Sequence, residues 1–74
     1  MFIRKDQLYI DRNSVGPFKV YLALENAENA DDIVKVIELV GDSIVYLTSK
    51  TVIAFEGNLE KDLLAVAMKY NYTV

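Results

Sequence analysis

The chain contains no cysteine, no histidine and no tryptophan, and only one proline. Without thiols it has no disulfide framework and no thiol redox chemistry, and without imidazole as well it lacks the ligands of the usual closed zinc site. Histidine-dependent catalysis is excluded on the same ground. A general acid or base would have to be Asp, Glu, Lys or Tyr with a strongly displaced pKa, which a small open domain provides only with difficulty. The sequence therefore points away from an enzyme and requires no cofactor. No apolar run approaches the roughly 20 residues that span a bilayer. The start, Met1-Phe2-Ile3-Arg4-Lys5-Asp6, runs straight into charge and offers neither a signal-peptide core nor a transit peptide. A cytoplasmic protein without membrane contact is expected.

What is present is a short and apolar chain, 74 residues and 53% hydrophobic. At this length a chain buries only roughly 60% of the surface it exposes when unfolded, so part of the apolar surface is short of internal cover. A single domain over residues 1–74 is expected. The net charge is −3, distributed unevenly. Arg4, Lys5, Arg12 and Lys19 outweigh Asp6 and Asp11 near the start, whereas Glu25, Glu28, Asp31, Asp32, Glu38 and Asp42 face only Lys35 in the middle. Such an acidic chain neutralises few phosphates, which argues against nucleic acid as a partner.

Phe18, Val20, Leu22 and Leu24 alternate with less apolar residues and predict a strand over residues 18–25. Asn13-Ser14-Val15-Gly16-Pro17 reads as a turn, and Gln7–Asp11 upstream as a strand pairing back through it. Ile33, Val36, Ile37 and Val40 recur at helical spacing, with polar residues before them to cap and Gly41 after them to stop, so a first helix is expected there. Ser43–Thr48 and Thr51–Glu56 read as a second strand pair joined near Ser49-Lys50. Asn58 then caps a second helix with Leu59, Leu63, Val66, Ala67 and Tyr70 on one face, which Asn71 breaks. Tyr72-Thr73-Val74 is either a last strand or an end.

The expected fold is thus α+β, a two-layer sandwich of ββαββα(β) order with both helices on one face of an antiparallel sheet. From residue 18 onward the order βαββαβ is similar to a ferredoxin-like plait. Without the last strand the order ββαββα resembles roadblock or longin-type modules. The absence of cysteine, the single glutamine and the 15 valines and isoleucines also resemble, in composition alone, the uncharacterised small proteins of hyperthermophilic archaea.

A sheet with both helices on one face leaves the other open. With Val20, Leu22, Val45 and Leu47 facing inward, Tyr21, Ile44 and Tyr46 fall on the open side, with Phe55 joining them if the second strand pair has an even-length connection. Tyr21, Ile44, Tyr46 and Phe55 are the expected interaction residues, for a second copy of the chain in a homodimer or for another protein. An alternative reading is a sensor that binds a small apolar or aromatic ligand between the sheet and the N-terminal segment. A third is weak binding of Ca²⁺ or Mg²⁺ by Glu25, Glu28, Asp31 and Asp32, although their spacing does not match an EF-hand loop and no glycine makes its turn. The acids are better explained as a solvated loop, and no metal site is expected. Val20–Leu24 superficially resembles an RNA-recognition strand, but Lys50–Phe55 lacks the glycine and second aromatic of the partner motif.

Overall fold

The computed structural model describes residues 2–13 and 19–73. It holds five strands, β1 (Leu8–Asp11), β2 (Val20–Ala23), β3 (Val34–Glu38), β4 (Ser43–Leu47) and β5 (Val52–Ala54), and one helix, α1 (Lys61–Lys69). The strands form a single antiparallel sheet in the order β4-β3-β2-β1-β5. The expected two-helix sandwich is overturned, and with it the likeness to a ferredoxin-like plait or to a roadblock or longin-type module. The fold is mostly β.

Residues 33–40, expected as a helix, instead hold the strand β3 over Val34–Glu38. Val34 and Val36 face one core, while Ile37 and Leu39 face another. A strand buried on both faces reads as a nearly continuous apolar run, which periodicity alone does not separate from a helix. The β-branched Ile33, Val34, Val36 and Ile37 tip the balance toward the extended chain, where their χ1 restriction costs little. Gly41 lies in the β3–β4 turn instead of ending a helix. Asp42 in that turn takes a left-handed φ of 50°.

β4 and β5, expected as a strand pair, do not pair with each other. They form opposite ends of the sheet and are joined by the 3-10 turn Ser49–Thr51. Since β4 runs antiparallel to β3 and β5 antiparallel to β1, the two edge strands run in the same sense. A flat sheet would place them about 19 Å apart laterally. The four residues between Leu47 and Val52 would have to cross that distance and a strand length as well, beyond their reach of about 18 Å even fully extended. The sheet is therefore coiled into a partly open barrel. Val52 of β5 accordingly shares a core with Val34 and Val36 of β3, with Val45 and Leu47 packed against it.

Coiling gives the sheet two buried faces. The inner core holds Tyr9, Tyr21, Ala23, Val34, Val36 and Val52, closed at one end by Ile3 and Ala27, which pair as an isolated bridge. The outer core holds Leu8, Val20, Leu22, Ile37 and Leu39 beneath Ala67 of α1, with Leu63, Val66 and Tyr70 packed against it. The helix begins at Lys61 with Glu60 as its N-cap residue, making no side-chain cap bond, so the expected cap at Asn58 is not used. It ends where expected. Asn71 adopts φ 72°, and the amides of Asn71 and Tyr72 donate to the carbonyls of Met68 and Ala67, a Schellman arrangement. Residues 72 and 73 form no strand. Phe18 and the expected turn at Ser14–Pro17 lie outside the described residues.

Candidate interaction surface

The four expected interaction residues occupy three environments. Ile44 and Tyr46 stand on the outer face of β4, 48% and 62% exposed, because α1 covers the centre of that face and stops short of its edge. Tyr21 projects to the other side of the sheet and is only 6% exposed. Its hydroxyl donates to Asp11 Oδ1 at 3.1 Å. Burial, the bond to Asp11 and the nearby carboxylates of Asp11 and Glu38 push its pKa up to about 12. Phe55 follows β5 and packs half-buried against the outer core beneath α1. Ile44 and Tyr46 thus remain together, while Tyr21 and Phe55 belong to the two cores.

Sequence reasoning missed Ile33. The alternation of β3 places it on the outer face, diagonal to Tyr46, and it is 69% exposed. The expected helix stripe of Ile33, Val36, Ile37 and Val40 would have turned it toward a core. The same alternation puts Lys35 directly opposite Tyr46 and the buried Ile37 opposite Ile44. Ile33, Ile44 and Tyr46 therefore form one apolar strip along the β3–β4 edge. Phe2, Ile53 and Met68 are also exposed but lie elsewhere in the fold, before β1, on β5 and on α1, and Val40 is exposed in the β3–β4 turn.

Among the described residues the backbone of this edge is open as well. Leu24 N–H donates to Lys35 and Leu39 N–H to Val20, which turns the peptide groups of residues 35, 37 and 39 toward β2. Peptide groups alternate direction along an antiparallel strand, so residues 34, 36 and 38 bond β4 through Leu47, Val45 and Ser43. The N–H and C=O of Ile44 and Tyr46 consequently point away from the sheet. At the other end, Phe55 N–H donates to Leu8 and Arg12 N–H to Thr51, leaving the peptide groups of Val52 and Ala54 outward. That edge is blunted. Arg12 folds along it, Nε donating to the Lys50 carbonyl at 3.1 Å and Nη2 to the Val52 carbonyl at 3.4 Å.

A groove of about 520 Å³ runs beside β5, with Phe2, Arg4, Tyr9, Arg12 and Val52 among its walls. Its cations are partly engaged, Arg12 on carbonyls and Lys50 with Asp31. The acidic loop is likewise committed to local structure. Glu25 accepts from the Lys35 amide at 2.8 Å, and Asp32 accepts from the amides of Glu28 and Asn29. Among the described residues no three carboxylates converge as metal ligands.

A clamp fixes α1 to the β3–β4 turn. Asp42 Oδ2 accepts from Lys69 Nζ at 2.6 Å, and Oδ1 from the Tyr70 hydroxyl at 2.8 Å. These two bonds hold the Asp42 carboxyl below its ordinary pKa, and Asp42 in turn raises those of Lys69 and Tyr70. No helix is long and apolar enough among the described residues to cross a membrane. No family model matches the chain, and no curated protein or solved structure is detectably similar to it.

Proposed function

We propose that the protein is a non-catalytic interaction module that uses the outward side of β4, associating with its own copies or with another protein. The observation that carries this reading is the coincidence of side chain and backbone. Ile44 and Tyr46 expose apolar side chains on one face and, among the described residues, peptide groups without a partner along the edge. An exposed edge strand with an apolar face is a template for pairing, and proteins that do not use one protect it with charge, proline or a bulge. Ser43-Ile44-Val45-Tyr46-Leu47 contains none of the first two. Large apolar side chains of this kind, aromatic ones above all, are the anchors that dominate interfaces.

Light scattering behind a size-exclusion column tests the reading. The wild-type mass should rise above that of one chain as concentration approaches about 1 mM, and Tyr46→Glu should return it to one chain. Because Tyr46 is exposed, the variant should keep the wild-type circular dichroism spectrum. A single-chain mass for the wild type at every concentration, or a larger mass that Tyr46→Glu leaves unchanged, contradicts self-association through this strip.

A further inference from the structure

We infer that two copies of the chain pair edge to edge, β4 against β4, antiparallel about a two-fold axis at Val45. This deepens the proposed function and rests on it, adding the partner and the register. The register follows from which peptide groups are free. Those of Ile44 and Tyr46 point outward, and antiparallel partners bond only when each presents an outward residue opposite another. Centring the two-fold on Val45 places Ile44 opposite the second copy's Tyr46 and Tyr46 opposite its Ile44. Each of these two pairings exchanges two hydrogen bonds. On the outer face the same register sets isoleucine beside tyrosine, twice, and β-branched against aromatic is among the favourable cross-strand pairs.

Charge and sequence agree with a second copy as the occupant. A chain of net charge −3 opposes its own approach, yet residues 43–49 carry no ionisable group except the Tyr46 phenol, so like charges do not meet at the seam. Glu38 lies opposite Ser43 on the inner face, and Lys35 is the cation beside Tyr46. The alternative edge is less suited. It is three residues long, and Arg12 occupies the carbonyls of Val52 and of Lys50 just before it, two of the devices by which edges are kept from pairing. A five-residue strand buries less than the roughly 800 Å² per partner of a standard interface. The pair is therefore weak and concentration-dependent, half-formed somewhere between about 10 μM and 1 mM.

The absence of cysteine makes the register directly testable. About this axis Val45 faces its own copy as a non-hydrogen-bonded pair, with α-carbons about 4.5 Å apart, inside the range that a disulfide bridges. Val45→Cys under mild oxidation should give a disulfide-linked dimer on non-reducing gels, and Met68→Cys, exposed on α1, should not. Ile44→Pro removes an outward donor that β3 does not use, so it should abolish association in either cysteine-free or cysteine form. It also covers the case in which Val45→Cys, half-buried, fails to fold. Association that Tyr46→Glu abolishes but that neither cross-links through position 45 nor responds to Ile44→Pro would overturn edge pairing and leave the apolar strip as a face-on contact. A wild-type chain that stays single at about 1 mM would overturn the pair itself.

Discussion

Tyr21 shows at the level of one residue how burial on both faces reassigns a side chain. Alternation along β2 correctly separates Tyr21 and Ala23 from Val20 and Leu22, yet every residue of the strand is buried. Parity says which residues share a face and is silent on whether that face is covered. Its hydroxyl keeps a bond to Asp11 because a buried donor without a partner costs free energy. Tyr21→Phe should lower stability by about 1 kcal/mol in denaturant unfolding, the net worth of a typical hydrogen bond. The fold favours the neutral phenol, so its contribution is intact below the unfolded pKa near 10 and is lost as pH rises toward about 12. The wild-type chain should therefore lose stability across that interval, and Tyr21→Phe should show a shallower loss. Equal alkaline slopes would refute the assignment. Ile44 and Tyr46 were legible as an outward pair for the same reason that Tyr21 was not. An edge strand has only one neighbour, and the outer core beneath α1 leaves Ile44 and Tyr46 of β4 exposed.

Among the elements, β1, β2 and α1 were legible, each carrying a one-sided pattern or a clear terminator such as Asn71. β3 was not, because its apolar residues serve two cores and its spacing fits a helix equally well. The β4–β5 connection was also hidden. Ser49-Lys50 lies between two strand-like segments, and nothing local distinguishes a hairpin from a 3-10 turn that carries the chain to the far edge of a coiled sheet. The joint between α1 and the β3–β4 turn belongs to this scale too. Asp42 has its pKa lowered by its bonds to Lys69 and Tyr70, so the clamp is present above the unfolded carboxyl pKa near 4 and is lost as pH falls through the lower folded value. Stability should decline on acidification below about pH 4, and Asp42→Asn should flatten that part of the profile. Asparagine tolerates the left-handed backbone at this position, so the turn itself survives the substitution. An unchanged acid limb in Asp42→Asn would show that the clamp does not couple helix to sheet.

For the whole molecule, the apolar content that looked excessive for one small sandwich is largely absorbed by two cores, one inside the coil and one beneath α1. Closing the coil also decides which surface is left over. β5 is short and overlaid by Arg12, the centre of the outer face is roofed by the helix, and the β3–β4 edge retains Ile33, Ile44 and Tyr46. Composition indicated a surplus, whereas its position required the topology, since an open sheet of the expected order would have left a broad face in place of an edge. The central claim is that this edge is where the molecule meets its partner, and residue-resolved amide hydrogen exchange on the wild-type chain tests it most directly. In dilute solution the amides of Ile44 and Tyr46 should exchange fast while that of Val45, bonded to β3, exchanges slowly. At about 1 mM the first two should slow, by about twofold if the pair is half-formed there and by more than about tenfold if it is half-formed near 10 μM, with Val45 little changed. Exchange at Ile44 and Tyr46 that is equally fast at both concentrations would contradict the account.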